Sequence, residues 1–149
     1  YDAIIVGAGR MGGEAARGLL AKGANLLVVD YDPEALRAVA GHHVTTLYGD
    51  VSEPEFASSL PFHEADSVVC AVPSPSTNVV LLQTLRRFEF TGGICLTAMD
   101  ARTAEMLEEY GGVRVIRPFK MAAQNIVSEM DLPVKAKPAP GSPLPDEPV

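Results

Sequence analysis

Several residue types are scarce or missing in this chain, and each shortage removes a class of explanation. There is no tryptophan, aromatic residues make up 6% of the 149 positions, and there are only two cysteines and three histidines. Two cysteines cannot staple a disulfide scaffold, and the spacing of Cys70 and Cys95 fits neither a Cys-x-x-Cys redox pair nor a zinc site. Both sit in apolar, strand-like runs, which predicts buried free thiols in a reducing compartment. His42 and His43 follow Gly41 at a helix end and His63 stands apart in a loop, too few and too scattered for a metal. No basic cluster occurs, and the formal charge is −7. That balance argues against nucleic acid and against anionic lipid, leaving small ligands or protein surfaces as partners. No apolar run approaches the ~20 residues of a membrane span. The first residue enters a strand directly, without Met, basic stretch or signal-like segment, so the expectation is a soluble piece cut from a longer protein.

What the chain does have is one glycine-rich break. Ile4, Ile5 and Val6 form an apolar run that stops at Gly7-Ala8-Gly9-Arg10-Met11-Gly12 and resumes as an alanine-rich helical pattern. The pattern reads as strand, tight turn, helix. Gly7 permits the turn, Gly9 lets a phosphate approach the backbone, and Gly12 lets the helix pack against its strand, while the free N–H groups of the helix's first turn attract the anion. By itself Gly-x-Gly-x-x-Gly is weak. Its weight comes from the next apolar segment, Asn25 to Val29, which ends in Asp30, 18 positions past Gly12 and near the ~20 expected of a ribose-binding acid.

At 47% hydrophobic and 21% charged residues, the chain can build one well-buried domain and not two. Helix one is expected from about Gly12 to Lys22, ending at Gly23. After the strand to Val29, Asp32 caps a helix opening at Pro33 and ending at Gly41, and Val44 to Tyr48 is strand three. Ser52-Glu53-Pro54-Glu55 has capping-box spacing and predicts a short helix carrying Phe56 and Leu60 inward. Strand four, Ser67 to Val72, is almost continuously apolar, as suits a parallel strand buried on both faces. Pro73-Ser74-Pro75 delays the next helix to about Ser76 or Thr77. Strand five is Ile94 to Thr97, a helix covers about Asp100 to Tyr110, strand six is Val113 to Ile116, and a last helix runs from about Met121 to Met130. Residues 131–149 carry six prolines and little to bury, which predicts a disordered tail or linker.

Six strands alternating with helices predict a Rossmann-like, doubly wound parallel α/β sheet of order 3-2-1-4-5-6. A ligand should lie across its carboxyl edge, where strands one and four diverge, against the loops Gly7–Gly12, Asp30–Asp32, Gly49–Val51, Val72–Ser76 and Thr97–Asp100. Asp30 can accept both ribose hydroxyls of an adenosine, and its charge would repel a 2′-phosphate, favouring NAD or a plain adenine nucleotide over NADP. The bland alternative is a solvated turn aspartate. Asp50 could take the adenine amino group, with the Val51 backbone at the ring edge, or could merely lead into a helix. Arg10 could pair with a pyrophosphate or stay solvated.

Catalytic equipment is missing. Tyr31, Tyr48 and Tyr110 have no lysine four residues on, no histidine falls in the edge loops, and Ser74 and Ser76 have no histidine partner. Glu105, Glu108 and Glu109 read as a solvated helix face rather than metal ligands. After strand six there is little chain to hold a substrate over a nicotinamide. The expectation is a ligand sensor, not an enzyme; the alternative is the cofactor domain of an NAD-dependent oxidoreductase without its substrate half.

Four stretches together carry a family resemblance: Ile4–Gly12, Val28–Glu34, Tyr48–Phe56 and Ala65–Pro73. They resemble the RCK domain, also called KTN or TrkA-N, of cytoplasmic regulators of potassium channels, potassium uptake systems and monovalent cation:proton antiporters. The resemblance covers about residues 1 to 130, and the stretch Val72–Arg86 is most similar to the domain at the C-terminal end of Kef-like antiporters. It implies binding of NAD(H), AMP, ADP or ATP at Gly7, Gly9, Arg10, Met11, Gly12, Asp30, Tyr31, Asp50, Val51, Val72, Pro73 and Thr97. It further implies control of potassium or other cation transport from the cytoplasmic face of the membrane, a transmembrane partner, and a homodimer or larger ring, often with the last helix exchanged. In this chain that helix sets Met121, Ala122, Ile126 and Met130 at one-face spacing, suited either to a partner or to closing its own core.

Overall fold

The computed structural model describes residues 1–130; the expected tail, 131–149, lies outside the described residues. Its strands are β1 (Ala3–Val6), β2 (Leu26–Asp30), β3 (Val44–Tyr48), β4 (Ser67–Cys70), β5 (Gly93–Thr97) and β6 (Arg114–Ile116). All pair in parallel in the order 3-2-1-4-5-6. The helices are α1 (Arg10–Leu20), α2 (Pro33–Val39), α3 (Pro54–Ser59), α4 (Pro75–Arg87), α5 (Ala101–Glu108) and α6 (Pro118–Glu129).

Period-two alternation in β1 and β2 divides the core. Ala3, Ile5, Leu26 and Val28 face α1 and α2, joined by Ala16, Leu36 and Val39. Ile4, Val6, Leu27 and Val29 face the opposite layer, where α3, α4 and α5 contribute Ala57, Leu81, Leu82, Leu85, Ala104 and Leu107. β1, and β2 as far as Val29, are therefore apolar at every position because both faces are covered. Phe62, from a single 3₁₀ turn, completes the second layer and packs its ring against Phe88 and Phe90.

Proline accounts for two corrected boundaries. The fourth helix starts at Pro75 under the Ser74 hydroxyl, which accepts from the Thr77 N–H, and the last starts at Pro118. In both cases proline sits at the first helical position, where its fixed φ fits and its missing N–H has no role, so the helices begin earlier than the breaker reading predicts. The capping box does not form. Ser52 instead donates its N–H to Asp50 Oδ1 at 2.8 Å, and the helix opens at Pro54 behind Glu53 without a side-chain cap. Strand four ends at Cys70, two residues early, as the chain turns out of the sheet. Cys70 is buried as expected, but Cys95 is only half-buried. No residue of α6 is buried, so this helix closes no core among the described residues.

Candidate functional site

The glycine turn departs from β1 with the Gly7 N–H donated to the Val29 carbonyl at 2.8 Å and with Gly7 at φ +91°. A β-carbon on Gly12 would lie 1.7 Å from the Gly7 carbonyl oxygen, whereas one on Gly9 would meet nothing within 4 Å. The two glycines therefore do different things. Gly12 brings α1 against its own turn, and Gly9 leaves room above the turn for something that is not protein. Gly9 caps α1 without a side chain, and no acidic residue occupies the first helical turn, so the helix's positive end is left for an external anion.

Asp30 ends β2 and is already engaged. Its Oδ2 accepts from the Ala8 N–H at 2.6 Å and its Oδ1 from the Asp32 N–H at 2.8 Å. The residue expected to meet a ribose thus also ties the glycine turn to the neighbouring strand, a link that the spacing does not reveal. A carboxylate has about four lone-pair positions, so two remain for hydroxyl donors. Asp50 follows β3; the Ser52 hydroxyl and then its backbone N–H hold the Asp50 carboxyl below the usual carboxylate range, so it is ionised at neutral pH.

Across the sheet, Thr97 at the end of β5 donates its hydroxyl to the Cys70 carbonyl at 2.8 Å, with Met11 Sδ at 4.0 Å. Asn78, fully buried in the first turns of α4, points its Nδ2 at the carbonyls of Thr97 (3.0 Å), Ser74 (3.1 Å) and Val72 (3.4 Å). It fastens the loop after β4 to the end of β5. Sequence reasoning overlooked Asn78, although a polar residue on the otherwise apolar stripe of this helix is a signal that could have found it.

These elements surround one cleft of ≈ 670 Å³ at the carboxyl edge of the sheet, within the ~300–1,000 Å³ of small-molecule sites. All twelve expected residues line it: Gly7, Gly9, Arg10, Met11, Gly12, Asp30, Tyr31, Asp50, Val51, Val72, Pro73 and Thr97. Gly49, Ala71, Thr77, Met99, Pro118 and Phe119 line it too. Gly49 and Met99 fall in loops that the topology marks; Pro118 and Phe119 come from the start of α6, just past strand six, which it does not. Among the described residues, no group of three or more His, Cys, Asp or Glu side chains is close enough to hold a metal ion, and no helix is long and apolar enough to cross a membrane.

A doubly wound parallel sheet with a glycine turn, an acid ending β2 and a cleft at the switch point defines the Rossmann-like class of domains. Within that class the chain belongs to the TrkA-N domain family, whose pattern it matches over residues 3–118. The glutathione-regulated potassium-efflux system protein KefC of Salmonella arizonae is 29% identical over 83 residues, 56% of this chain. The chain spans 13% of the length of the KefC relatives it matches. Among solved structures, the TrkA-N domain of the inner membrane protein ybaL of Escherichia coli superposes with a TM-score of 0.75 at 17% identity, covering 87% of this chain and 96% of that one. The Kef CTD of Shewanella denitrificans in an AMP-bound form gives 0.72 at 24% identity, covering 85% and 77%. The GsuK channel bound to NAD gives 0.69 at 17%, covering 83% and 22%. These likenesses establish the fold.

Proposed function

We propose that this chain is the nucleotide-sensing regulatory domain of a potassium or other monovalent cation transport protein. It binds NAD(H), AMP, ADP or ATP through the adenosine and passes the bound state to a transmembrane partner on the cytoplasmic face. One observation carries the reading. A single cleft gathers the open glycine turn, the Asp30 carboxylate and the Asp50 carboxylate along the edge where β1 and β4 diverge. Adenosine fits that order of groups, with its ribose at Asp30, its base at Asp50 and Val51, and its phosphate over Gly9 beside Arg10. The kinship with KefC and the nucleotides named for the Kef CTD and GsuK structures support it. Family kinship also favours a homodimer, and the unburied α6 offers apolar surface for one. Ligand binding then acts as a shift between two arrangements of the assembly rather than as a chemical step.

Calorimetric titration with each adenylate tests the proposal. At least one should bind, and Asp30→Ala should weaken it by ~1.5–3 kcal/mol, the worth of hydrogen bonds to a charged group. Unchanged affinity would remove Asp30 from the site. A cleft that takes none of these nucleotides would refute the function.

A further inference from the structure

The two edges of the sheet are finished differently. β6 is three residues long, opens on Arg114 and runs on into α6. β3 is five residues, Val44-Thr45-Thr46-Leu47-Tyr48, paired only with β2, and its last four positions are exposed. Edge strands are ordinarily blunted by charge, proline or a bulge, because their unpaired N–H and C=O groups invite another strand. This one carries no charge and no proline, and its register against β2 is unbroken from Val44 to Tyr48.

The phase of the ladder says which groups are free. Leu26 donates its N–H to the His43 carbonyl at 2.8 Å, and Gly49 donates its own to the Asp30 carbonyl at 3.0 Å. In a parallel ladder those two bonds turn the backbone groups of His43, Thr45, Leu47 and Gly49 towards β2, and those of Val44, Thr46 and Tyr48 outwards. The Val44 N–H goes to the Gly41 carbonyl at 3.3 Å; among the described residues, the N–H groups of Thr46 and Tyr48 have no acceptor.

This outward set is complementary to itself. Turned antiparallel about a two-fold axis through Thr46, a second β3 sets Thr46 opposite Thr46 and Tyr48 opposite Val44, so every outward residue meets an outward residue. The Thr46 pair then exchanges two hydrogen bonds, and each Tyr48 N–H reaches a Val44 carbonyl. Thr–Thr and aromatic–β-branched pairs are favourable cross-strand neighbours. Charge agrees with this direction. The axis brings His42 and His43, which precede the strand, to the end where the other copy carries Asp50, whereas parallel pairing would set Asp50 beside Asp50. We propose that β3 is a self-association edge, through which two copies of this chain join their six-stranded sheets into one. The contact is separate from any dimer made through α6 and from whatever fills the cleft.

Amide exchange and two charged variants test it. In the 149-residue chain the Thr45 and Leu47 amides, bonded to β2, should exchange slowly at any concentration. Those of Thr46 and Tyr48 should slow at least about tenfold as the protein is concentrated, because pairing takes them out of solvent. Thr46→Lys and Thr46→Glu each set like charges on the axis, and each alone should abolish that slowing and the matching rise in sedimenting mass. Mixed in equal amounts, the two should pair with each other and recover both. Thr46 and Tyr48 amides that exchange equally fast in dilute and concentrated parent protein overturn the self-pairing and leave the edge to an extended segment of another protein. Slowing that persists in both charged variants overturns the axis at Thr46. The contrast between the inward and outward amides of the parent protein holds as a test whether or not either variant folds.

Discussion

Gly9 and Gly12 stand three residues apart in one turn, and alanine at each should separate two properties that usually fail together. At Gly12 the added methyl would lie 1.7 Å from the Gly7 carbonyl oxygen, 2.9 Å from its carbon and 3.0 Å from Ala71 Cβ, against the 3.4–4 Å of ordinary contact. The nearest obstacle is backbone and cannot rotate away, so α1 must move off its turn by about 1.7 Å, the shortfall from 3.4 Å. Overpacking of this kind costs roughly 1–3 kcal/mol, occasionally more, and a backbone obstacle places it near the top. Replacing a helical glycine returns about 1 kcal/mol. The net loss is about 2 kcal/mol, or ~4–8 °C in Tm for a chain of this size. At Gly9 nothing lies within 4 Å of the methyl and φ is −63°, so Gly9→Ala should leave Tm within ~2 °C. It fills the space a phosphate needs, however, and should weaken the tightest-binding adenylate roughly 10–100-fold, the worth of hydrogen bonds to a charged group. Thermal melts and calorimetry on both variants check the pair. A Gly9→Ala protein with full affinity refutes close approach of phosphate to the turn, and a Gly12→Ala protein with unchanged Tm refutes the packing argument.

Other outcomes follow from the same geometry. Asp30→Ala removes the acceptor for the Ala8 and Asp32 N–H groups, so it should also lower the unfolding free energy read from a urea titration by ~1–2 kcal/mol without any ligand present. Asn78→Ala leaves the Val72, Ser74 and Thr97 carbonyls without this donor and should cost ~2–3 kcal/mol in the same assay. Burial pushes the Cys70 thiol up to about 12 from its ordinary 9.0. Because the folded value is the higher one, the neutral thiol's contribution is fully present below pH 9 and is lost as pH climbs towards 12. A Cys70→Ala protein should therefore lose less stability over that interval than the parent. Iodoacetamide at pH 8 should label half-buried Cys95 before buried Cys70, as peptide mass spectrometry can read.

The fold was legible because its signals are local. Continuous apolar runs such as Leu26–Val29 mark strands covered on both faces, and the glycines and prolines between them punctuate at positions where only their backbone geometry works. The same prolines misled the reading at two helix starts, since Pro75 and Pro118 serve as first helical residues, and whether proline breaks or begins a helix depends on the N–H groups around it. The capping box at Ser52 failed because Asp50 competed for the Ser52 N–H.

By itself, the sequence determined the alternation of strands and helices, the class of fold and the five edge loops, because these follow from periodicity and punctuation. The twelve residues that the family resemblance implies fall within those loops and line one cleft. Tertiary structure alone decided what those residues do to one another. Asp30 binds Ala8 across 22 positions, Asn78 reaches Thr97 across 19, and Phe119 meets the cleft only because β6 delivers α6 to its rim. Such contacts depend on which chain ends the sheet brings together, and no local pattern encodes that distance.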